Sequence, residues 1–327
     1  MRLGVVGGGS WGTALAAHLA RCGHDVRLLA RDAAFARELE SRRENARYLP
    51  GVPLPEGLAA TADTAALASA EAVFMAVPSE AARSVYALVA RRAAPTVPLV
   101  SLAKGLEIDS LKRMSEVAAE EAPGHPLAVL SGPSFAIEVA RGHPTAVVVA
   151  SADASVAEGV QRVVAARTFR AYSSDDVVGV ELAGALKNVI AIAAGIVDGL
   201  GYGPNTVAAL VTRGLAEITR LAVREGGRAD TLAGLAGLGD LVLTCTGDLS
   251  RNRSVGRALG RGSSLAEAVA ETRTVAEGVR TTRAASLLAA RAGVEMPIVE
   301  QMREVLYGGK QPRTAVDELM LRSLKRE

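Results

Sequence analysis

The sequence predicts two domains, an α/β domain with a mostly parallel sheet followed by an all-α domain. Short apolar runs typical of buried strands alternate with helical segments: "RLGVVG", "DVRLLA", "EAVFMAVP", "PLVSLAKG", "PLAVLSGP" and "TAVVVAS". After "FRAYSSDD" the pattern changes to helices separated by glycine. A chain of 327 residues has room for about two domains of ~150 residues each. We therefore expect domains 1–177 and 178–327.

The composition limits the partners and the compartment. The chain has 37 basic and 35 acidic residues, which give a net charge of +2 and form no long blocks of one sign. This distribution gives no reason to expect nucleic-acid or acidic-lipid binding. The two cysteines, Cys22 and Cys245, and the four histidines lack metal-ligand spacing. We therefore expect no metal site and no disulfide, and we expect a reducing cytoplasm.

The most apolar stretch of the chain is "NVIAIAAGIVDGLG". It falls short of the ~20 residues that a membrane-spanning helix needs, and it contains Asp198. We therefore expect no integral membrane segment.

A glycine-rich turn follows the first predicted strand. Gly7, Gly9 and Gly12 form GxGxxG between "RLGVV" and a helical run that ends near Gly23. In such a βαβ unit the first glycine permits the tight turn, and the second lets the backbone approach a pyrophosphate. The third allows close contact between helix and strand. The motif in this setting predicts a Rossmann-type dinucleotide-binding domain. The alternative is a glycine-rich turn without a ligand.

The choice of cofactor depends on the end of the second strand. An NAD enzyme usually has Asp or Glu there to bind the adenosine ribose hydroxyls, whereas this chain has Arg31 followed by Asp32. A guanidinium pairs well with a 2′-phosphate, so Arg31 favours NADP(H), while Asp32 still allows NAD(H). The alternative is that Arg31 is only a solvated charge at the end of a strand.

Two stretches of the second domain suit proton transfer. In "ELAGALKNVIAI", Lys187 lies on an apolar helix face with no carboxylate three or four residues away. Burial there would lower the pKa of this lysine and suit it to acid/base work, unless its head reaches solvent. In "LAGLAGLGDLVLTCTG", Asp240 is placed either to support such a lysine, with Thr244 one turn later, or to cap a helix.

A third stretch, "GDLSRNRSVG", suits a small phosphate group. Ser250, Arg251 and Asn252 come directly before a helical run. A hydroxyl, a guanidinium, an amide and a helix N-terminus together form a set of donors that anions prefer.

Further motifs join these along the chain, in order, from residue 4 to about residue 282: "GGGSWGTALA", "AVPS", "LAKGLE", "SGPSFAxEV", "GxPTAVVVAS", "ELAGALKNVIAIAAG", "GLAGLGDLVLTC", "SRNRxxG" and "EGxxT". In this combination the chain resembles the bacterial NAD(P)-dependent glycerol-3-phosphate dehydrogenases. The resemblance implies hydride transfer between NADP(H) or NAD(H) and sn-glycerol 3-phosphate or dihydroxyacetone phosphate, without a metal. It also implies a cytoplasmic homodimer that feeds glycerophospholipid synthesis.

The resemblance also implies roles for individual residues. Lys187 would be the catalytic acid/base, beside Asn188 and supported by Asp240 and Thr244, and Lys104 would hold both substrate and nicotinamide. The substrate would further contact Gly132, Ser134, Ser250, Arg251 and Asn252. The cofactor would contact Gly7, Gly9, Ser10, Trp11, Gly12, Arg31, Ala136, Arg251, Val275 and Glu277.

Two other functions fit parts of the sequence. Ketopantoate and β-hydroxyacid dehydrogenases also combine a Rossmann half with a helical half, but their substrates lack the phosphate that "SRNR" would bind. A dinucleotide-sensing protein without turnover would keep the first domain. It gives no reason for Lys187, Asp240 and Arg251 to occur together.

Overall fold

The computed structural model describes residues 1–271 and 276–323. The chain divides into two compact units, the first comprising Met1–Lys104 and Lys112–Glu181, the second Gly105–Leu111 and Leu182–Glu327. The expected boundary at residue 177 lies just before this division. The segment Gly105–Leu111, which we expected in the first domain, belongs to the second unit. A short loop carries no periodic pattern that would reveal which core it joins.

The first unit contains an eight-stranded sheet. Its strands are β1 (Arg2–Val6), β2 (Asp25–Leu29), β5 (Leu58–Thr61), β6 (Ala72–Met75), β7 (Leu99–Ser101), β8 (Leu127–Ser131), β9 (Thr145–Ala150) and β10 (Phe169–Ser174). They lie in the order β10-β9-β8-β7-β6-β1-β2-β5, and all neighbours are parallel except β8 and β9. A separate antiparallel ribbon consists of β3 (Glu44–Asn45) and β4 (Leu49–Pro53). The six predicted strands and the mostly parallel sheet are confirmed.

Helices cover both faces of this sheet. They are α1 (Ser10–Arg21), α2 (Ala33–Arg42), α3 (Ser79–Ala90), α4 (Met114–Glu121), α5 (Ala136–Ala140) and α6 (Ala154–Val164), with a 3₁₀ turn at Thr64–Ser69. Leu15 of α1 packs in one core with Leu28 of β2. Tyr86 of α3 and Val117 of α4 pack in a second core with Met75 of β6. The two cores hold the sheet between helical layers, as expected of a Rossmann-type domain.

Helix α7 (Val177–Gly199) begins in the first unit and continues into the second. Asp176 caps its start, since its carboxylate accepts a hydrogen bond of 2.8 Å from the Gly179 N–H. The buried Glu181 carboxylate accepts hydrogen bonds of 2.8 Å from the Arg113 guanidinium and from the Ser115 backbone N–H. Burial raises the pKa of Glu181, and the charge of Arg113 opposes that change. These contacts fix the first turns of the helix that carries the candidate lysine.

The length of α7 corrects one expectation. The helix has 23 residues and a mean hydropathy of 1.7, so it is long and apolar enough to cross a membrane. It is the one helix within residues 1–271 and 276–323 that meets both conditions. The expectation that the apolar stretch is too short is wrong, because the helix starts eleven residues before that stretch, at Val177 rather than near Asn188. The whole apolar part is nevertheless buried inside the protein. Burial in the core accounts for so apolar a composition.

The second unit is helical. Its elements after α7 are α8 (Pro204–Arg224), α9 (Ala229–Ala233), a π-helical turn (Leu235–Gly239), α10 (Asp240–Thr246), α11 (Arg251–Gly260), α12 (Leu265–Glu271), α13 (Glu277–Ala292), α14 (Pro297–Tyr307) and α15 (Pro312–Met320). No strand follows β10 in residues 175–271 or 276–323. The predicted all-α character of the second domain is confirmed.

Glycine lets α7 and α11 meet backbone to backbone. A Cβ atom built on Gly256 would lie 2.0 Å from the carbonyl oxygen of Ile192, and one built on Gly195 would lie 2.0 Å from the carbonyl oxygen of Arg253. Both distances are far below van der Waals contact, so no other residue fits at either position without a shift of the helices. The same close approach recurs one turn along, at Gly199 and Gly260.

This contact predicts that Gly256→Ala destabilises the protein. An added methyl group at the helix contact forces the backbones apart, and overpacking of this kind costs about 1–3 kcal/mol or more. Urea or thermal unfolding measures the loss. The matched control is Gly159→Ala within α6, where no heavy atom of the described chain comes within 4 Å of the added Cβ. That variant should unfold no more easily than the wild type, since alanine favours helices over glycine by about 0.5–1 kcal/mol. Equal stability of the two variants would contradict the close contact.

Candidate active site

The glycine-rich loop after β1 leaves open space at one glycine only. Gly7 has a φ of 117°, and a Cβ on it would lie 2.4 Å from the Ala76 carbonyl oxygen. A Cβ on Gly12 would lie 2.0 Å from the Gly7 carbonyl oxygen. At Gly9, by contrast, no described heavy atom comes within 4 Å of an added Cβ. The turn, the close helix contact and the open backbone at the start of α1 together fit the pyrophosphate of NAD(P)(H).

Two predicted cofactor contacts lie at the start of α1, and a third begins α5. Ser10 and Trp11 are the first residues of α1 and are half-buried, and Ala136 is the first residue of α5. Trp11 and Ala136 both pack against the same small apolar cluster. The Trp11 indole N–H is buried without a hydrogen-bond partner among the described residues. Such a donor costs free energy unless a ligand or water accepts from it.

The two charged residues after β2 that bear on cofactor choice have different surroundings. Asp32 caps α2, since its carboxylate accepts a hydrogen bond of 2.8 Å from the Phe35 N–H. Arg31 is exposed and forms no hydrogen bond or ion pair with the described part of the chain. The carboxylate thus has a structural role, whereas the guanidinium is available to a phosphate.

Three predicted substrate contacts lie together at the carboxyl ends of β7 and β8. The Lys104 Nζ donates a hydrogen bond of 2.9 Å to the Gly132 carbonyl oxygen, and the Ser134 hydroxyl donates one of 2.8 Å to the same oxygen. Gly132 has a φ of 133°, and a Cβ there would lie 3.0 Å from the Cα of Val147. Glycine is therefore required at the centre of this group.

The second unit brings together the lysine and its predicted partners. The Lys187 side chain is only 6% exposed, and its Nζ donates hydrogen bonds of 2.6 Å to Asp240 Oδ1 and 2.7 Å to Thr244 Oγ1. The Thr244 hydroxyl in turn donates to the Asp240 carbonyl oxygen at 2.6 Å. The alternative that Lys187 reaches solvent is wrong. Its own helix has no carboxylate three or four residues from Lys187, and Asp240 of α10 supplies that partner instead.

The glycines before Asp240 allow the turn that orients its side chain. The π-helical turn Leu235–Gly239 runs directly into α10, so Asp240 continues a helix and does not cap one. A Cβ on Gly237 would lie 2.0 Å from the Leu232 carbonyl oxygen, so the turn closes only with glycine at that position. Wide turns of this kind are frequent at functional sites because they redirect a side chain.

A second hydrogen-bonded group joins α7, α11 and α13. Asn188 Oδ1 accepts a hydrogen bond of 2.9 Å from Asn252 Nδ2, and Asn252 Oδ1 accepts one of 2.9 Å from the Gly278 N–H. Ser250 caps α11, since its hydroxyl oxygen accepts a hydrogen bond of 3.3 Å from the Arg253 N–H. Ser250 and Asn252 therefore hold the start of α11 in place, and their predicted contacts with substrate remain predictions.

Arg251 keeps access to solvent at the start of α11. The surrounding chain still desolvates its guanidinium enough to lower its pKa, while the charge of Glu277 opposes that change. The group stays charged at neutral pH, because an arginine pKa starts above about 12. Glu277 is the first residue of α13. Val275, a predicted cofactor contact, lies outside the described residues.

The described residues include neither a group of metal ligands nor a disulfide. No group of three or more His, Cys, Asp or Glu residues within 1–271 and 276–323 is placed to hold a metal ion. Cys22 and Cys245 are free thiols, and burial raises the pKa of Cys245 to about 12. A thiol with so high a pKa is a poor nucleophile at neutral pH.

Comparison with known proteins decides the family. The family described as NAD-dependent glycerol-3-phosphate dehydrogenase N-terminus matches residues 2–157, and its C-terminal counterpart matches residues 176–317. The chain belongs to the NAD-dependent glycerol-3-phosphate dehydrogenase family. A glycerol-3-phosphate dehydrogenase (NAD(P)+) of Anaeromyxobacter dehalogenans (strain 2CP-C) is 55% identical over 331 residues, which cover 100% of both chains. A crystal structure of glycerol-3-phosphate dehydrogenase from Coxiella burnetii is similar with a TM-score of 0.95 and 42% identity, over 98% of this chain and 99% of that one.

These findings favour the dehydrogenase family over the alternatives. A ketopantoate reductase from Ralstonia eutropha JMP134 is similar with a TM-score of 0.61 at 17% identity, which shows a common fold alone. Relatives that are more than 50% identical over the whole chain carry the names of enzymes. The chain is an NAD(P)-dependent oxidoreductase of the glycerol-3-phosphate dehydrogenase family, and a role without turnover is disfavoured.

The position of Arg31 predicts how cofactor choice responds to mutation. Arg31→Asp should weaken NADPH binding by ~1.5–3 kcal/mol, the scale of a hydrogen bond to a charged group, and should affect NADH much less. Titration with each reduced cofactor measures both affinities. Arg92→Asp, the same charge change at an exposed position beyond the C-terminus of α3, should leave both affinities unchanged. Equal losses for NADPH and NADH in Arg31→Asp would show that Arg31 does not contact the 2′-phosphate.

Proposed function

We propose that the chain interconverts sn-glycerol 3-phosphate and dihydroxyacetone phosphate with NADP(H) or NAD(H). The observation that carries this proposal is the hydrogen bond of 2.9 Å between Asn188 and Asn252. It joins the helix that bears Lys187 to the start of the helix that bears Arg251. The buried proton donor and the candidate phosphate site thus lie on two helices that this hydrogen bond joins, as a small phosphorylated ketone or alcohol requires.

Lys187 acts as the acid/base in this proposal. A bound nicotinamide supplies or accepts the hydride at C2 of the substrate. A carbonyl that gains a hydride becomes an alkoxide and needs a proton at its oxygen, which the Lys187 ammonium donates. In the opposite direction the neutral amine accepts that proton. Asp240 and Thr244 hold Nζ in one position, and the Asp240 charge stabilises the ammonium.

Arg251 and the first turn of α11 bind the substrate phosphate in this proposal. Backbone N–H groups at a helix N-terminus and a guanidinium both favour a dianion. The phosphate takes no part in the reaction, so its binding energy serves to place C2 for the chemical step. Lys104, Gly132 and Ser134 form a further proposed contact with substrate, and Lys104 also contacts the nicotinamide. Val275 and Glu277 are proposed cofactor contacts.

We infer that the enzyme is a cytoplasmic homodimer that supplies glycerol 3-phosphate for phospholipid synthesis. The free thiols of Cys22 and Cys245 suit a reducing compartment. The apolar side chains of Leu238, Val242 and Leu249 are exposed within one short stretch of the second unit, and a dimer interface there would cover them. Light scattering on the purified chain measures the oligomer directly, and a monomer at micromolar concentration would contradict the dimer.

The proposal predicts that the substrate must carry a phosphate group and that Arg251 binds this group. NADPH oxidation should be fast with dihydroxyacetone phosphate and near background with ketopantoate, with unphosphorylated dihydroxyacetone or without substrate. Arg251→Ala should raise KM for dihydroxyacetone phosphate at least about tenfold and also lower kcat, because the substrate is bound less tightly and its C2 is positioned less precisely. The slow rate with dihydroxyacetone should hardly change. An unaltered KM would remove Arg251 from the substrate site, and turnover of ketopantoate would overturn the assigned substrate.

The proposal also predicts that Lys187→Met abolishes the chemical step. General acid/base assistance is worth ~10²- to 10⁴-fold, so kcat should fall by at least about a hundredfold. The variant should also be less stable, because it leaves the Asp240 carboxylate buried without its partner, and breaking a buried pair costs about 3–5 kcal/mol. Steady-state kinetics and thermal unfolding measure the two effects.

A double variant separates loss of chemistry from loss of stability. Lys187→Met with Asp240→Asn removes both charges and should recover much of the lost melting temperature, since no buried charge remains unpaired. Its kcat should stay as low as that of Lys187→Met. A single variant that keeps more than about a tenth of the wild-type kcat would contradict the role of Lys187.

A further inference from the structure

The ribbon formed by β3 and β4 carries a buried amide that bonds to the glycine-rich loop. Asn45 is 1% exposed, and its Nδ2 donates hydrogen bonds of 3.0 Å to the Gly8 carbonyl oxygen and 2.7 Å to Thr13 Oγ1. Its Oδ1 accepts a hydrogen bond of 3.1 Å from the Tyr48 N–H. Both hydrogens of the amide nitrogen are therefore used, and the amide has one orientation only.

These contacts hold the loop at the residue between its first two motif glycines. Gly8 is buried, so its carbonyl group needs a donor from the protein, and Asn45 provides it. Thr13, which is also fully buried, donates its backbone N–H to the Gly9 carbonyl oxygen at 2.9 Å. Asn45 thus bonds both to the loop and to the first turn of α1.

Apolar packing fixes the ribbon itself against two helices. Leu49 and Val52 of β4, exposed by 2% and 3%, form a cluster with Ala14 of α1 and Ala140 of α5. The predicted cofactor contacts at the starts of these two helices pack against the same cluster. Movement of the ribbon would therefore disturb α1, α5 and the loop together.

We propose that Asn45 is a positioning residue for the dinucleotide. It holds the Gly8 carbonyl and the start of α1 so that the backbone at Gly9 and the helix N-terminus meet the pyrophosphate. The pyrophosphate is common to both cofactors, so Asn45 contributes equally to NADPH and NADH, in contrast to Arg31. The inference rests on the NAD(P) dependence of the family and does not require the substrate proposed above.

A titration without substrate tests the proposal. The full-length chain is titrated with NADPH and with NADH, and the fluorescence of the nicotinamide reports the dissociation constant of the folded protein. Asn45→Ala removes both donated hydrogen bonds, and Asn45→Asp places an acceptor against the Gly8 carbonyl oxygen. Two lost hydrogen bonds correspond to a rise of about tenfold or more in Kd. We expect that rise for both cofactors, with the ratio of the two constants unchanged within about twofold.

Two further variants keep the result decisive. Thr13→Val removes one acceptor of Asn45 and keeps the side-chain shape, so it should raise both constants by about threefold even if the Asn45 variants fail to fold. Asn205→Asp, the same chemical change at an exposed asparagine of α8, should alter neither constant. Circular dichroism and thermal unfolding establish that each titrated variant is folded.

Other patterns of the data would overturn the proposal. A lower melting temperature with both constants within twofold of the wild type would make Asn45 a stabilising residue without influence on the cofactor. A rise for NADPH alone would assign it to the 2′-phosphate. If Thr13→Val and both Asn45 variants fold and bind both cofactors with wild-type affinity, the loop does not depend on the ribbon. Absence of turnover with dihydroxyacetone phosphate would refute the proposed reaction and leave this titration intact.

Discussion

The backbone contact between α7 and α11 is the constraint on which the site in the second unit depends. With Gly195 and Gly256 facing the opposite backbone, the two helices lie closer than any side chain at those positions would allow. The hydrogen bond between Asn188 and Asn252 spans the same two helices and requires this separation. Lys187 and Arg251 are each one residue from that bond. Their relative position therefore follows from main-chain packing, which is less adaptable than contacts between long side chains.

The ion pair of Lys187 and Asp240 is the second determinant of the site, and it is costly. Both side chains are almost fully buried, and desolvation of two charges offsets much of their attraction. Thr244 adds a neutral acceptor to the ammonium and so satisfies more of its hydrogen-bonding capacity. Two apolar residues of similar volume would hold α7 and α10 together about as well. A buried pair at this point therefore fits the proposed proton transfer better than a role in stability.

The sequence predicts most of the fold because apolar runs and helical periodicity are local signals. The four strands that escaped prediction are weak in those signals. Strand β3 is only Glu44–Asn45, and the five residues of β4 include two prolines and a glycine. Strand β5 is only Leu58–Thr61, and β10 alternates buried with exposed residues at the edge of the sheet. Among site residues, Lys187, Asp240 and Thr244 were predicted from their motifs, and the structure brings them together. Asn45 was missed because its partner Gly8 is 37 residues away, and no spacing rule connects a ribbon to a loop at that distance. The helix-contact glycines were missed because glycine in a sequence indicates a turn as readily as a close approach.

The complete burial of the apolar part of α7 has a consequence for the motions of the enzyme. Amide hydrogens in a helix enclosed by the core exchange with solvent mainly through unfolding of the whole cooperative unit, not through local fraying. Lys187 and Asn188 therefore lie on the part of the chain that opens least often. The proposed proton donor, on so rigid a support, keeps its position from one turnover to the next. The rearrangements that admit substrate and release product must then come from segments other than this helix.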